Sequence, residues 1–334
     1  MSPSWISRPL AHPDLEIKYA DVTASKVGPS RPCLSHHSKR FWIIISAVLL
    51  TIAVALGVGL GVGLTQGSAS NAGGSASSTP APPPPGNGNH TTGSFWQPPA
   101  GATWQIVLQY ALNDTLPDVA VYDIDLFENP NSTIASLHAL NRSVICYFSA
   151  GSYEDFRPDS NQFKPSDYAK PLDGWPGEYW LNTNSSNVRN IMTERLKLAA
   201  SKGCDGVDPD NVDGYDNDTG LDLTTSDAID YLNFLAITAH GLNMSLGLKN
   251  AAEIVNQTID MMQWEVNEQC EQYQECDLFQ PFIGAGKPVF HIEYPDGAPN
   301  ITPDVKTMNC DTTSAKGFST ISKTIDPNAW VDPC

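Results

Sequence analysis

Apolar and polar residues alternate in blocks along residues 95–334, and the blocks have the lengths of strands and helices. Short apolar runs recur eight times, and several are separated by longer segments with apolar residues at helical spacing. The predicted strands are 105–110, 119–124, 143–148, 205–209, 244–249, 262–267, 288–293 and 315–321. Continuously apolar strands that alternate with helices predict a parallel sheet covered by helices.

Three segments have clear helical periodicity, at 131–141, 185–203 and 224–241, and the last two end in glycine. Eight strand units in about 240 residues favour an α/β fold of the (β/α)8 TIM type over an open doubly wound sheet. No glycine-rich phosphate-binding fingerprint follows the first strand, which argues against a dinucleotide site. We therefore predict one domain over 95–334.

Residues 41–64 form an uncharged apolar run that is long enough to cross a bilayer as a helix. A cleaved signal peptide would have a shorter apolar stretch nearer the start of the chain, so a transmembrane signal-anchor is favoured. Lys39 and Arg40 precede the run, and the next basic residue is Arg142. The positive-inside rule then predicts a cytoplasmic tail at 1–40 and a single-pass type II protein in the plasma membrane.

The segment that follows the run has features of an extracellular chain. Residues 65–94 are rich in Gly, Ser and Pro and predict a stalk, which leaves 95–334 as the extracellular domain. All nine Asn-x-Ser/Thr sequons lie beyond the apolar run, as do six of the seven cysteines. We expect three disulfides among fifteen possible pairings, with Cys270–Cys276 the favoured pair because the two are close in sequence.

Negative charge is concentrated in the predicted extracellular domain. The chain has a net charge of −18, and residues 95–334 hold 34 of the 37 acidic side chains but only 13 of the 19 basic ones. This balance excludes a nucleic-acid partner, whose binding requires clustered cations. It is typical of a protein with a cationic partner or of a very soluble one.

Acidic and aromatic side chains gather where the predicted strands end, which is where barrel enzymes place their chemistry. A single such residue is more often a helix cap or a solvated loop residue, but seven strand ends together favour a site for sugar rings. The residues at these ends include Gln109, Tyr110, Asp123, Asp125, Tyr147, Glu154, Asp208, Asp210, Lys249, Asn250, Glu265, Glu268, His291, Glu293 and Tyr294.

Residues 203–218 contain six aspartates and no basic residue. The spacing does not match a calcium-binding EF-hand loop, and no Gly-x-Ser-x-Gly elbow indicates a nucleophilic serine. The remaining interpretation is a carboxylate pair, with one Asp from strand four and one Glu from strand six, as glycoside hydrolysis requires. Carboxyl groups about 5–5.5 Å apart would indicate retention of the anomeric configuration, and about 6.5–9.5 Å inversion.

Three segments resemble glycoside hydrolase family 114: CYFSAGSYEDFRPD (146–159), GCDGVDPDNVDGY (203–215) and WEVNEQCEQYQEC (264–276). The resemblance covers nearly all of 95–334. It implies an endo-α-1,4-polygalactosaminidase on a (β/α)8 barrel, acting on a cationic galactosamine-containing polysaccharide, galactosaminogalactan. From the motifs in the sequence we expect no metal and no cofactor.

Residue by residue, the resemblance implies that Asp210 and Glu268 are the catalytic pair. Asp210 would be the nucleophile or charge stabiliser and Glu268 the general acid/base, with Asp208 and Glu265 in reserve. Lys249 is unusual opposite a cationic substrate and would keep a neighbouring carboxylate ionised. The residues expected to bind substrate are Asp123, Tyr147, Tyr153, Glu154, Asp208, Asn211, Lys249, Glu265 and Glu293.

The leading hypothesis is therefore a monomeric, membrane-tethered glycosidase. Two alternatives remain open: a non-catalytic carbohydrate-binding surface protein on the same barrel, and a calcium-dependent lectin. Cleavage of purified polysaccharide would separate the enzyme from the binding protein, and sensitivity to a chelator would indicate the lectin.

Overall fold

A computed structural model describes residues 95–334. Its main sheet has eight parallel strands in sequential order, followed by one short antiparallel strand. The eight strands are β1 (Trp104–Val107), β2 (Val121–Asp125), β3 (Ser143–Ser149), β7 (Gly206–Asp210), β8 (Ser245–Lys249), β9 (Trp264–Glu268), β10 (Val289–Glu293) and β11 (Ser319–Ser322), and the antiparallel strand is β12 (Asp332–Pro333). Each of the eight predicted strands overlaps one parallel strand, so the prediction of a parallel sheet is confirmed.

The first and last predicted strands extend furthest beyond the observed ones. The chain leaves the sheet after Val107, because the backbone N–H groups of Leu108 and Gln109 both donate to Pro327 O. At the other end, Gly317 has a φ of +87°, which places a turn where the sequence predicted the start of the last strand. The strand-end positions Gln109 and Tyr110 therefore lie in a loop.

Helices cover the outer face of the sheet. Within the described chain they are α1 (Asn131–Ala139), α2 (Ser186–Lys202), α3 (Thr225–Gly241), α4 (Val255–Thr258), α5 (Cys270–Tyr273), α6 (Gln280–Gly284) and α7 (Pro303–Cys310). Short 3-10 turns lie at Ser160–Gln162, Gly214–Asp216, Ala252–Ile254 and Cys276–Phe279. The three helices predicted from periodicity are α1, α2 and α3.

The caps explain where the two long helices begin and end. The Ser185 side chain accepts the Asn187 N–H at the start of α2, and Gly203 ends that helix with a φ of +93°. Thr224 and Asp227 form a capping box at the start of α3. Because α3 includes Gly241, the predicted stop at this residue is one position early.

Alternation along the strands gives the sheet an inner and an outer face. The inner face contributes a compact apolar cluster that includes Trp104, Ile145, Trp264, Val266 and Ile292. The outer face packs against the helices in a larger cluster. Because residues i and i+2 of a strand share a face, every second residue from these positions to the carboxyl end of its strand also points into the interior.

Side-chain hydrogen bonds connect the first and last parallel strands. Trp104 Nε1 donates to Ser319 O at 2.7 Å, and Lys323 Nζ donates to Gln105 Oε1 and Ile106 O, both at 2.8 Å. The parallel sheet is therefore curled, so that β11 approaches β1. This arrangement is consistent with a TIM-type fold.

A second, smaller sheet lies between β3 and β7 in sequence. It is antiparallel and contains β4 (Ser152–Glu154), β5 (Tyr168–Pro171) and β6 (Glu178–Leu181), in the order β4-β6-β5. Glu154 pairs with Glu178, and Tyr153 pairs with Tyr179, so one face carries acids and the other tyrosines.

Three disulfides are present: Cys146–Cys204, Cys270–Cys276 and Cys310–Cys334. Both the expected number and the favoured pair Cys270–Cys276 are confirmed. The predicted cytoplasmic tail at 1–40, the signal-anchor at 41–64 and the stalk at 65–94 lie outside the described residues. Within 95–334, no helix has the length and apolarity needed to cross a membrane.

Candidate active site

Asp210 ends β7, and three groups hold its carboxylate. The Tyr147 hydroxyl donates to Oδ2 at 2.7 Å, the Asn211 N–H donates to Oδ1 at 2.8 Å, and Lys249 Nζ donates to Oδ1 at 3.1 Å. Burial would raise the pKa of Asp210, but the nearby Lys249 charge and the two hydrogen bonds hold this pKa below its ordinary value. Asp210 is therefore an ionised carboxylate near neutral pH.

Glu268 ends β9 and faces the same space. Its Oε2 lies 3.1 Å from Lys249 Nζ and accepts from Asn250 Nδ2 at 3.2 Å, while its Oε1 accepts from the Tyr294 hydroxyl at 2.5 Å. Its side chain is 29% exposed, compared with 18% for Asp210. Of the two carboxylates, Glu268 is therefore the more open to a water molecule or a leaving group.

Lys249 links the two carboxylates. The same ammonium lies 3.1 Å from an oxygen of each, so Asp210 Oδ1 and Glu268 Oε2 are at most about 6.2 Å apart. Burial would lower the pKa of Lys249, but Asp210, Glu268 and Asp208 raise it well above the ordinary value. The lysine is therefore a permanent positive charge between two acids.

A second pair of acids lies deeper in the interior. Asp123 and Asp208 are on the inner faces of β2 and β7, and both are fully buried. Burial, followed by the charge of Asp208, raises the pKa of Asp123 well above its ordinary value. Burial also raises the pKa of Asp208, to about 7, although the Lys249 charge opposes it. Both carboxyl groups therefore favour the protonated form, and neither is accessible to a sugar in this structure.

Tyr147 and Asn211, which are expected to bind substrate, both contact Asp210. The Tyr147 ring also lies 5.6 Å from Lys249 Nζ, a cation–π contact. Asn211 has a φ of +59°, a left-handed conformation that asparagine tolerates better than most residues. Its backbone N–H donates to Asp210 Oδ1.

Tyr153 and Glu154 lie in the small antiparallel sheet, at some remove from the carboxylate pair. The Tyr153 ring stacks on Tyr168 with 4.5 Å between the centroids. Glu154 is 3% exposed, and Arg157 Nη2 lies 2.7 Å from both Glu154 and Asp125. Glu154 is thus already paired with Arg157, in a buried ion-pair network that joins β4 to β2.

Among the described residues, Glu265 and Glu293 form no hydrogen bond or ion pair with Asp210 or Glu268. Both occupy outer-face positions in their strands, one residue after the inner-facing Trp264 and Ile292. Glu293 accepts from the Glu271 N–H at 2.9 Å and contacts His291 Nε2 at 2.8 Å. Glu265 is fully buried, and its burial raises its pKa well above the ordinary value. The expectation that Glu265 and Glu293 bind substrate stays a prediction, because strand ends alone do not indicate which face a residue occupies.

The six aspartates of 203–218 disperse in the folded chain. Asp205 accepts a backbone N–H of β3 at 2.7 Å on the outside of the sheet. Asp218 is exposed and pairs with Lys170 at 2.6 Å. Between them, Asp208 and Asp210 face the interior. The dense run in the sequence therefore separates into groups with different surroundings, which relieves the repulsion between them.

Among the described residues, Cys270, Cys276 and His291 form a compact group of ligand types that bind metals. The two cysteines are joined in a disulfide, so they offer no thiolate to an ion. This group therefore does not fit a zinc site.

Tyr294 and Asn250 follow β10 and β8 directly, and the sequence placed both at strand ends without assigning either to the catalytic or substrate-binding set. Glu178 was absent from the sequence analysis altogether. Glu178 is in β6, in the excursion between β3 and β7. Burial raises the pKa of Glu178 to about 7. The negative charges of Glu154 and Asp210 add to this effect, whereas a hydrogen bond from Ser152 and the charge of Arg157 oppose it. No sequence pattern indicated that it would approach Asp210.

Comparisons with known proteins show the family of this chain. The family model of glycoside hydrolase family GH114 matches residues 87–334. The crystal structure of Aspergillus fumigatus Ega3 in complex with galactosamine is 57% identical, with a TM-score of 0.72, and the match covers 74% of this chain and 100% of that one.

A more distant structure shares the fold alone. The glycoside hydrolase domain of PelA from Pseudomonas aeruginosa is 10% identical with a TM-score of 0.52, covering 68% of this chain and 97% of its own. A search of curated proteins found no match. On the strength of the family match and the 57% identity, this chain belongs to glycoside hydrolase family GH114.

Proposed function

We propose that the protein is an endo-α-1,4-galactosaminidase that cleaves a cationic, galactosamine-containing extracellular polysaccharide, galactosaminogalactan, with Asp210 and Glu268 as its catalytic pair. The observation that carries this proposal is the convergence of both carboxylates on Lys249, at 3.1 Å each. The similar Ega3 structure holds galactosamine, which supports the same sugar here.

Asp210 is the nucleophile. Its ionised state follows from Lys249, Tyr147 and the Asn211 N–H, all of which favour the anion. Its oxygen attacks the anomeric carbon and forms a glycosyl–enzyme ester as the glycosidic bond breaks. The positive charge of Lys249 stays in place throughout, so the site is arranged before the substrate binds.

Glu268 is the general acid/base. Protonated, it gives its proton to the departing glycosidic oxygen; ionised, it then takes a proton from the water that hydrolyses the ester. Its greater exposure suits this exchange with water. We propose the retaining course because Asp210 is held as an anion that can attack the anomeric carbon, while the more exposed Glu268 can exchange a proton with water.

The charge distribution accounts for a cationic substrate. Lys249 is 3% exposed and is neutralised by two carboxylates, so it does not oppose an incoming amino sugar. The excess of acidic over basic side chains in 95–334 attracts a polycation over a longer range.

The wider architecture extends the same proposal. The curled sheet closes as a (β/α)8 barrel, and residues 1–40, 41–64 and 65–94 act as cytoplasmic tail, signal-anchor and stalk. The sequons and cysteines after residue 64 support a type II plasma-membrane protein with an extracellular catalytic domain, and we propose that this domain is monomeric. A non-catalytic carbohydrate-binding protein is the alternative function.

The test is to incubate the protein with purified, partly deacetylated galactosaminogalactan and to measure new reducing ends. Wild-type protein should release oligosaccharides. The Glu268→Gln variant should release none while melting at the wild-type temperature. Binding without cleavage by wild-type protein would reject the enzyme and support the binding protein.

A further inference from the structure

We propose that Glu178 is a positioning residue for Asp210 and that it acts through a chain of hydrogen bonds formed by Ser152, Ser149 and Asn211. The inference rests on the proposed catalytic role of Asp210. It assigns a function to the small antiparallel sheet, which otherwise contributes no residue that contacts either member of the carboxylate pair.

The chain of hydrogen bonds is continuous. Asn211 Nδ2 donates to Ser149 Oγ at 2.9 Å, the hydroxyls of Ser149 and Ser152 are 2.6 Å apart, and Ser152 Oγ donates to Glu178 Oε2 at 2.7 Å. Both serines are fully or almost fully buried. At the other end, the Asn211 N–H donates to Asp210 Oδ1 at 2.8 Å. Glu178 is thus connected to the nucleophile through three intervening residues.

The direction of the chain is determined by the groups that donate to it. Ser149 Oγ already accepts two N–H donors, from Asn211 Nδ2 at 2.9 Å and from the Ser152 backbone at 3.0 Å. A hydroxyl has one proton and two lone pairs, so the Ser149 proton goes to Ser152 Oγ. Ser152 must then donate its own proton onward, and Glu178 is the acceptor that completes the chain.

The Asp210–Asn211 segment is also held by the backbone of the turn between β3 and β4. The N–H groups of Ala150 and Gly151 both donate to Asp210 O, at 2.8 and 3.0 Å. A Cβ on Gly151 would lie 1.6 Å from Asn211 O, so the two segments pack closely. The Leu181 N–H, at the end of β6, donates to Gly151 O at 2.8 Å. The strand that carries Glu178 therefore contacts this turn twice, by side chain and by backbone.

Asn211 needs this support because of its backbone conformation. A non-glycine residue with φ of +59° costs free energy and persists where its surroundings determine it. The side-chain bond from Asn211 to Ser149 anchors Asn211 in that conformation, and the backbone N–H of the anchored residue donates to Asp210 Oδ1. Loss of the terminal acceptor leaves the Ser152 hydroxyl free to rotate, and the constraint on Asn211 weakens.

The charged groups around Glu178 indicate that it acts as the hydrogen-bond acceptor for Ser152 and not through its negative charge. Glu154 from the paired strand and Asp210 from β7 are both negative, while Arg157 opposes them. A carboxylate beside two other acids is costly, yet a glutamine carbonyl could accept the Ser152 proton equally well. The neutral amide is therefore the conservative replacement at this position.

Two substitutions at Glu178 separate its role as a hydrogen-bond acceptor from the effect of its charge. Glu178→Leu removes the acceptor, and we expect kcat to fall by about 10- to 100-fold with little change in KM, because misplacement of a nucleophile affects the chemical step. Glu178→Gln keeps the acceptor and should restore kcat to within about threefold of wild type. Lys170→Met, in the same small sheet but outside the chain of hydrogen bonds, is the control and should leave both parameters unchanged.

Ser152→Ala interrupts the same chain at its middle and provides a second measurement if Glu178→Leu does not fold. The Ser152→Ala variant should lose as much kcat as Glu178→Leu alone. The double variant Ser152→Ala/Glu178→Leu should lose no more, since the two residues act as a unit. Additive losses, wild-type kcat in Glu178→Leu, or equal losses in the Gln and Leu variants would overturn the inference. If Asp210→Asn is itself active, it is the proposed function that fails.

Discussion

At the scale of single residues, the site depends on one buried cation between two acids. Lys249 is 3% exposed, and its nitrogen lies 3.1 Å from both Asp210 and Glu268. An unpaired ammonium would be very costly at this depth, and so would either carboxylate without its partner. The three groups therefore depend on one another, and a change at Lys249 should affect both members of the pair.

We expect Lys249→Met to lower kcat by at least about 100-fold. Lys249 holds the pKa of Asp210 down, so its removal should raise that pKa and move the acidic limb of the kcat/KM profile to higher pH. Lys287→Met is a matched control, because Lys287 donates to Ile259 O and Met262 O before β10, at the opposite end of the strands. An unchanged acidic limb in Lys249→Met would contradict the assigned role.

The buried acids Asp123 and Asp208 should make stability depend on pH. Burial raises both pKa values above those of the unfolded chain, that of Asp208 to about 7. The folded state therefore holds more protons between about pH 4 and 7, and stability falls as pH rises through that range.

Asp208→Asn should remove part of this dependence. The melting temperature of the variant relative to wild type should increase between pH 5 and pH 8, by roughly 3 °C for a domain of this size. Thermal melts monitored by circular dichroism at both values provide the measurement. A relative melting temperature that stays level or falls would show that the pair is not protonated in the folded protein.

At the scale of elements, the sheet leaves room for one large indole. Gly206 and Gly247 are on inner-face positions of β7 and β8, and Trp264 of β9 packs against both. A Cβ on Gly247 would lie 2.1 Å from Trp264 Nε1, and a Cβ on Gly206 would lie 2.3 Å from the far edge of the same ring. The glycines therefore allow the Trp264 ring to fill the interior of the sheet below Asp210, Lys249 and Glu268, which lie at the carboxyl ends of their strands.

Gly247→Ala should destabilise the protein by about 2–4 kcal/mol, because the new methyl group overlaps a buried ring that cannot move away. Gly241→Ala, at the end of α3 where nothing lies within 4 Å of the added Cβ, should be neutral or slightly stabilising. Urea unfolding of the two variants compares them directly. Equal midpoints would show that the packing around Trp264 is loose.

The sequence allowed the eight parallel strands to be predicted because each is a short apolar run between polar segments. It also indicated the inner acids Asp210 and Glu268, through the segments that resemble the family. It could not separate inner from outer faces at strand ends, so Glu265 and Glu293 were grouped with Glu268. It gave no sign of Glu178, because contacts between the small sheet and β7 depend on tertiary packing rather than on local pattern.

At the scale of the whole molecule, charge should govern how the substrate approaches. Residues 95–334 carry a net charge of −21, with 34 acidic and 13 basic side chains. A partly deacetylated galactosamine polymer is a polycation near neutral pH, so long-range attraction should raise its local concentration. Attraction of this kind is screened by salt, whereas bonds inside the buried site are screened much less.

We therefore expect kcat/KM for the polymer to fall by about tenfold between 20 and 300 mM NaCl, almost entirely through KM. Initial rates at several salt concentrations provide the measurement. A polymer with more of its amino groups acetylated is the control, and its kcat/KM should respond less. The same response from both polymers would mean that the negative surface serves solubility alone.

The division of labour between Asp210 and Glu268 is tested most directly by azide rescue of Asp210→Gly and Glu268→Gly, using an α-galactosaminide with a good leaving group. In Asp210→Gly, azide replaces the nucleophile and should yield the β-glycosyl azide. In Glu268→Gly, azide attacks the glycosyl–enzyme ester and should yield the α-azide. The same anomer from both variants, or the two anomers exchanged, would contradict the account.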